Sequence, residues 1–407
     1  MALNNNKRPI EKEPYYHGWL ARVDIEEMLK NEGDFLVNTA KPENEKPLKQ
    51  VLAVCCEKDW NRANWYKHFV ILSEKGKYFV SSKYSFDSIV EMVEYLKASK
   101  DPLMPGCVAK TPINRPKWVI DHESIVVQKK VEDRIPFGEY HSGTYKMRNG
   151  KTIDVSIRKV KFDKLTREQH SEFMNDARVM RELCHPNIIK FYGVAAMKDP
   201  LYVITELPSS DGRLDTYLYA NPNLPMSKCD EMCLQAAWAL EYLHSKEYIH
   251  REPASQHFVY HNGQVKLADF RRTQGGTCYL ADPKEMALVR YLAPETLKWQ
   301  NYTYKTDVWA FGILCWEIYN SANSPYPGMT KYQVNQKVAE GHRMQMQSSV
   351  NSDIADVIVN KCWAFNQNDR PSMSEICRML QMITGIPRPN FEAYAVQQKI
   401  EKKKMDK

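Results

Sequence analysis

The chain lacks most of what marks membrane, secreted and metal-binding proteins. Its 407 residues contain no run of about 18 apolar positions, so no transmembrane helix is expected. Met1-Ala2-Leu3-Asn4-Asn5-Asn6-Lys7 has no apolar stretch of the signal-peptide kind and carries Ala2 rather than Gly, so neither a signal peptide nor amino-terminal myristoylation is expected. A cytoplasmic protein is expected. The ten cysteines show no paired zinc spacing: Cys55 and Cys56 are adjacent, and Cys229 and Cys233 lie one helical turn apart without a nearby His pair. Buried free thiols in a reducing compartment are the expectation. An excess of one charge is also missing, because 57 Lys and Arg are interleaved with 50 Asp and Glu. The net charge of +7 therefore forms no long stripe, and no nucleic-acid partner is expected. The single basic run, Lys399 to Lys404, reads as a solvated tail with at most weak attraction to an acidic membrane surface.

What is present is a chain long enough for two or three cores. Asp34-Phe35-Leu36-Val37-Asn38, Gln50-Val51-Leu52-Ala53-Val54 and His68-Phe69-Val70-Ile71-Leu72 read as strands. Ile25 to Leu29 and Ile89 to Leu96 carry helical spacing. Three prolines and a glycine between Pro105 and Pro116 mark a linker. From about 125 to 197 strands dominate around one helix over 167–183. From about 226 to 385 the pattern is helical, with the apolar run Val308 to Trp316 at its centre.

The most informative stretch is His250-Arg251-Glu252-Pro253-Ala254-Ser255-Gln256-His257, followed by Ala268-Asp269-Phe270-Arg271. Its layout is that of a protein-kinase catalytic loop (His-Arg-Asp, four residues, Asn) and metal loop (Asp-Phe-Gly). Other motifs keep the same order. Phe137-Gly138-Glu139 fits the end of a glycine-rich loop, and Phe173 to Arg178 fits the helix that supplies an ion-pair acid. His185-Pro186-Asn187-Ile188-Ile189, Val289 to Glu295, Asp307 to Gly312 and Asp369-Arg370-Pro371 follow. Residues 125–385 thus resemble a cytoplasmic tyrosine kinase of the Fes/Fer group. Tyr15-Tyr16-His17-Gly18-Trp19-Leu20 with Gly33-Asp34-Phe35-Leu36-Val37 resembles a Src-homology-2 (SH2) domain over 15–108, and Lys117 to Glu123 again fits the Fes/Fer pattern.

The resemblance implies an α+β chain. An SH2 fold, a central antiparallel sheet flanked by two helices, precedes a linker over 109–124. A bilobal kinase fold then spans 125–385, with a cleft between the lobes as the ligand site, and a disordered basic tail covers 386–407. Acids at the Glu295 position pair with bases at the Arg370 position in this family, and both residues are present.

Phosphoryl transfer rests on positioning and charge neutralisation, so each required part can be compared in turn. Glu132 and Arg134 stand where two phosphate-cradling glycines belong, and only Gly138 remains. Tyr140 replaces a Val that packs on adenine and should narrow the pocket. In Val155-Ser156-Ile157-Arg158, Arg158 replaces Lys; its planar fork is not equivalent to a compact ammonium. Asp176 replaces the partner Glu, and a structural salt bridge between the two is expected. Glu252 replaces the base Asp, and a displacement of about 1 Å can cost on the order of a hundredfold in rate. Pro253 restricts it further. His257 replaces the metal-binding Asn, although hard Mg²⁺ prefers oxygen.

Asp269 alone keeps metal-binding chemistry, while Arg271, with Arg272, is placed to substitute for the ion's charge. Thr205 sits at the gatekeeper position before Glu206-Leu207-Pro208, so the implied nucleotide site comprises Gly138, Tyr140, Ser156, Arg158, Thr205, Glu206 and Leu207. ATP and Mg²⁺ are the implied cofactors, weakly held. His250 and Phe270 fit an apolar column between the lobes, with Asp307 beneath. Tyr279 is either a phosphorylation site that Arg251 would pair with or a plain exposed tyrosine.

An SH2 domain grips phosphotyrosine with a buried Arg. Here that position is Asn38, and a small hydroxyl position is Ala40; Arg22, Lys67 and His68 remain as secondary phosphate contacts. Loss of a charge-assisted bidentate bond, about 1.5–3 kcal/mol, should weaken phosphotyrosine binding at least tenfold. Such a domain either packs on the kinase lobe or binds peptides weakly or without phosphate. The favoured expectation is a pseudokinase, a scaffold or allosteric partner in phosphotyrosine signalling. The alternative is a slow ATP-dependent tyrosine kinase. Partners would be signalling proteins, tyrosine-containing peptides or another kinase.

Overall fold

The computed structural model describes residues 8–41, 48–57, 65–81, 83–132, 138–208, 212–282, 284–285 and 287–405. Arg134, Phe137 and the Glu132 side chain of the glycine-rich loop lie outside these. The chain divides into two compact units, Met1–Arg178 with Tyr192–Thr205, and Val179–Phe191 with Glu206–Lys407.

The first unit opens with α1 (Arg22–Met28), β1 (Asp34–Ala40), β2 (Lys49–Cys55) and β3 (Tyr66–Val70). The expected strand His68–Leu72 breaks at Ile71, and a hairpin of β4 (Leu72–Glu74) and β5 (Lys77–Phe79) follows. Helix α2 (Ile89–Ser99) starts at Ser88, whose hydroxyl accepts the Glu91 N–H at 3.1 Å. β6 (Thr111–Pro112) lies in the expected linker and adds a parallel strand beside β1, giving the order β3-β2-β1-β6. Phe35, Val37, Leu52 and Val54 alternate inward and meet Met92, Val93 and Leu96 of α2. That alternation turns Asn38, opposite Val51, to the other face.

In the same unit β7 (Ile125–Glu132), β8 (Glu139–Lys146), β9 (Thr152–Val160), α3 (Arg167–Met180), β10 (Phe191–Ala195) and β11 (Leu201–Glu206) build a sheet in the order β10-β11-β9-β8-β7. α3 stops three residues short of the expected 183. Its last turn tightens through Glu182 N–H to the Val179 carbonyl and Leu183 N–H to that of Met180, both 3.1 Å, before His185-Pro186. α1 and α3 are tied together. Trp19 stacks on His170 at 3.8 Å and 3°, and Asp24 accepts two bonds of 3.1 Å from Arg178. Gly18 must be glycine: its φ is +62°, and a Cβ there would sit 2.3 Å from the Ala196 carbonyl oxygen.

The second unit is helical: α4 (Leu214–Ala220), α5 (Met226–Ser245), α6 (Pro294–Trp299), α7 (Tyr304–Tyr319), α8 (Lys331–Ala339), α9 (Ser352–Asp356), α10 (Met373–Thr384) and α11 (Phe391–Met405). Short strands β12 (Tyr248–Ile249), β13 (Phe258–His261) and β14 (Gln264–Leu267) frame the catalytic-loop motif. α7 is buried all round from Thr306 to Tyr319, as an apolar run without a polar face requires. Among the described residues no helix is long and apolar enough to cross a membrane.

Two expectations fail. Cys56 and Cys107 form a disulfide, against the expectation of free thiols; the end of β2 and the turn before β6 bring Cα atoms 51 residues apart to 4.4 Å. Nor is the tail without structure. Phe391, at the start of α11, packs on His185 (4.3 Å) and Trp238 (5.5 Å), and Arg388 pairs with Glu241 at 2.7 Å. One aromatic anchor in a polar stretch suffices to dock its first turn.

Candidate functional site

The catalytic-loop backbone is held from below by Asp307, the buried acid near the start of α7. Its carboxylate accepts the N–H groups of His250 (2.7 Å) and Arg251 (2.8 Å), and His244 Nε2 lies 2.9 Å away. This clamp holds Arg251 at φ +76°, a left-handed conformation that a non-glycine side chain adopts only when its surroundings enforce it. His250 Nε2 lies 2.8 Å from the Asp269 carbonyl, and its ring meets Phe270 edge-on at 6.2 Å. Burial lowers the His250 pKa to about 4.

Arg271 closes on Asp269. Its Nε lies 3.0 Å from both carboxylate oxygens, its Nη2 also bonds Oδ2, and its backbone N–H donates to Oδ1 at 3.0 Å. Burial alone would raise the Asp269 carboxyl; the charges of His257 and Arg271 and the Arg271 hydrogen bonds outweigh it and hold it well below the carboxylate range. His257 Nδ1 donates to the Glu252 carbonyl at 2.6 Å, and its Nε2 lies 3.2 Å from Gln256 Nε2. Its Nε2 is 3.9 Å from Asp269. The Glu252 carboxylate is buried, with Arg272 Nε at 3.6 Å. Glu252, His257, Asp269, Arg271 and Arg272 are thus gathered into one charged cluster.

Arg251 is engaged as well. Its Nη2 bonds Glu285 at 2.6 Å, and its guanidinium lies over the rings of Tyr279 (4.3 Å) and Tyr302 (4.5 Å). The Tyr279 hydroxyl donates to the same Glu285 at 2.6 Å, and Arg272 adds a contact at 3.3 Å. Burial first, then Glu285, raises the phenol's pKa.

In the strand-rich unit Arg158 and Asp176 form the expected salt bridge, both about 4% exposed. The same guanidinium donates to the Phe173 carbonyl and lies 4.0 Å over the Phe173 ring. Tyr140 stands opposite Arg158 across β8 and β9, and Ser156 opposite Ser142. Gly138 has φ +97°, and a Cβ there would meet the Lys159 carbonyl oxygen at 2.4 Å, so the backbone alone demands glycine. Thr205 and Leu207 are half-buried; the Glu206 carboxylate is taken by Lys266 at 2.8 and 2.9 Å and by His261 at 3.3 Å. Pro208 has no N–H to offer a base.

On the SH2 side a cavity of about 320 Å³ is lined by Trp19, Arg22, Asn38, Ala40, His68 and His170, among others. Arg22 Nε bonds Glu26 Oε1 at 2.6 Å, and His68 Nε2 lies 3.2 Å from the same oxygen. A resident carboxylate therefore engages both Arg22 and His68, two of the side chains expected to hold phosphate. Lys67 does not line the cavity; it alternates with His68 and Val70, on the face of Phe69 that packs on the core.

Residues 15–96 match the SH2 domain family, and residues 128–380 match the protein tyrosine and serine/threonine kinase family. Among curated proteins the chain is 31% identical over 378 residues to Fer-related kinase 1 of Caenorhabditis elegans, covering 91% of this chain and 94% of that one. This chain belongs to the Fer-type, SH2-containing tyrosine kinase family. It is also 31% identical over 387 residues to human tyrosine-protein kinase Fer and 30% identical over 393 residues to the mouse protein, covering 94% of this chain in each case. It spans 45% of the length of these two relatives.

For a Fer-type chain the motif positions were legible, as were the pairs Arg158–Asp176 and Glu295–Arg370, but the partners of Arg22, Arg251 and Trp19 were not. Glu26, Glu285 and His170 carry no motif. Arg158 and Asp176, Asp269 and Arg271, and Arg251 and Tyr279 are brought together; Lys67 is not brought to the cavity.

Proposed function

We propose that this Fer-type chain is a pseudokinase, a scaffold or allosteric partner in cytoplasmic phosphotyrosine signalling that works through binding surfaces and transfers no phosphoryl group. One observation carries the reading: the Arg271 guanidinium forks onto both oxygens of Asp269. A magnesium ion would have to displace a cation already bonded to that carboxylate. His257 offers nitrogen, a poor match for Mg²⁺. Arg158 is spent on Asp176 and Phe173. The residues present therefore do not fit a metal–nucleotide complex, and no catalytic step is derived through one.

The test is transfer of labelled γ-phosphate from ATP to a tyrosine copolymer with Mg²⁺ or Mn²⁺. The full chain should show no turnover above Asp269→Ala. Metal-dependent turnover that Asp269→Ala abolishes would reject the proposal. A second reading, a slow tyrosine kinase, draws on the carboxylate kept at Glu252 and on the intact bidentate pair of Arg370 with Glu295 at 2.6 and 2.8 Å. It requires Glu252→Asp with His257→Asn to raise the rate markedly.

A further inference from the structure

The Cys56–Cys107 bond joins the residue just past β2 to a surface turn that leads into the linker. The pleat selects Cys56 rather than its neighbour. Leu52, Val54 and Cys56 alternate onto the face that forms the core with Cys107, so Cys55 points to the other side of the sheet. The Cys107 N–H donates to the Met104 carbonyl at 3.0 Å, and the Leu103 N–H donates to the Cys107 carbonyl at 2.9 Å. Gly106, at φ +72°, supplies the left-handed residue of this turn. Beside the disulfide, the Glu57 N–H donates to the Gly106 carbonyl at 2.7 Å.

The segment after Cys107 is the one the bond restrains. The Lys110 and Thr111 N–H groups both donate to the Gly33 carbonyl, at 2.8 and 3.0 Å, and the Ile113 N–H donates to the Phe35 carbonyl at 2.8 Å. These bonds lay β6 beside β1. Further on, the Val194 N–H of β10 donates to the Trp118 carbonyl at 2.8 Å, and the Ile120 N–H donates to the Val194 carbonyl at 2.9 Å. One short parallel strand thus carries the chain from the SH2 core to the five-stranded sheet, and the disulfide anchors its start. The other eight cysteines are free thiols. A solitary disulfide in a cytoplasmic protein is usually a transient, redox-responsive bond. Met104, Pro105 and Gly106 are exposed above it, whereas Cys56 is 5% and Cys107 0% exposed. A reductant reaches the sulfurs when this three-residue turn lifts, a local opening that breaks few contacts.

We propose that Cys56 and Cys107 form a reversible thiol–disulfide exchange site, opened by a dithiol reductant of the thioredoxin class, and that its opening loosens the linker from β1. A thiolate of the reductant attacks the Cys56 sulfur, the more exposed of the two, and displaces Cys107 as a thiolate that takes up a proton. The reductant's second thiol then attacks its own mixed disulfide and displaces Cys56. The protein's disulfide is reduced to two thiols, and the reductant's two thiols are oxidised to a disulfide. The site rests on the cytoplasmic part of the proposed function and makes no use of Asp269 or of phosphoryl transfer.

The test is hydrogen exchange with cysteine alkylation, both read by mass spectrometry, on the full native chain before and after reduced thioredoxin. Before reduction neither cysteine should be alkylated. After it both should be, and amide exchange over residues 103–115 should quicken by at least about tenfold, because a constraint between residues 51 apart has gone. Oxidised thioredoxin in excess should restore the slow exchange. Cys107→Ser should exchange fast from the outset and ignore the reductant. The response of the unsubstituted chain decides by itself if that variant does not fold. Alkylation of both cysteines before reduction, a bond that resists thioredoxin until the chain is unfolded, or unchanged exchange after reduction would overturn the proposal. Asp269→Ala should leave the response intact, which separates this result from the phosphoryl-transfer assay.

Discussion

Arg271 Nε lies 3.0 Å from each carboxylate oxygen of Asp269, a three-centre contact between residues two apart in sequence. The same device recurs with opposite sign at Glu26, which bonds Arg22 and His68, and at Glu285, which bonds Arg251 and the Tyr279 hydroxyl. On the pseudokinase reading proposed above, a tethered side chain in each case stands where a diffusible charge would bind. A tethered group gives up no translational freedom on binding, so a free ion or phosphate competes at a disadvantage.

The Arg158–Asp176 pair is buried, and breaking it should be costly. Arg158→Ala would strand Asp176 and lower stability by about 3–5 kcal/mol. Arg158→Met with Asp176→Leu should recover most of that loss, because no lone charge remains. Urea denaturation of the two variants measures the difference; equal losses would contradict a paired role.

Acid should destabilise the protein below pH 6.5. Burial holds His17 and His250 at about 4 and His170 and His185 at about 3. Each folded pKa lies below the unfolded value, so the stabilisation is complete above about 6.5 and is lost as pH falls toward the folded values. At about 1.36 kcal/mol per pH unit, each loses about 2 kcal/mol by pH 5. Glu317, pushed up to about 7 by burial, works in the opposite direction over this window, but it is one group against four. Melting temperatures from pH 7 to 5 should fall, and less steeply in His170→Phe. A flat or rising profile would contradict this.

Gly18→Ala should loosen the link between the SH2 segment and its neighbouring strand. The φ of +62° and a Cβ 2.3 Å from the Ala196 carbonyl oxygen leave no room for a methyl group. A cost above about 1 kcal/mol is expected, with faster amide exchange in α1 and α3. Unchanged exchange would show that this contact does not couple them.

Glu285→Ala should release Tyr279. Phosphorylation of Tyr279 by an added active tyrosine kinase should then accelerate on the order of tenfold, the worth of one hydrogen bond to a charged group. Mass spectrometry of the modified peptide provides the rate. An unchanged rate would mean that the Glu285 bond does not guard this hydroxyl.

Much of this was legible in residue order. The period-two pattern of β1 and β2 and the apolar run Val308–Trp316 of α7 follow from side-chain periodicity, and the pairing of Glu295 with Arg370 came from motif positions. The cysteine pair was not legible, because closure of Cys56 on Cys107 depends on a turn 51 residues away. Nor was the docking of Phe391 on His185 and Trp238, which needs three distant segments at once. At the candidate sites the exchanged residues could be read off directly. Glu26 and Glu285 could not, because nothing local distinguishes a carboxylate that will meet a cation from one that will face water.

The most direct measurement is Mn²⁺ uptake followed by electron paramagnetic resonance, on the full chain and on Arg271→Gly and Asp269→Ala variants. The unsubstituted chain should take up no more Mn²⁺ than Asp269→Ala, and Arg271→Gly should gain a site. Stoichiometric uptake by the unsubstituted chain, lost in Asp269→Ala, would show that Arg271 does not stand in the metal's place.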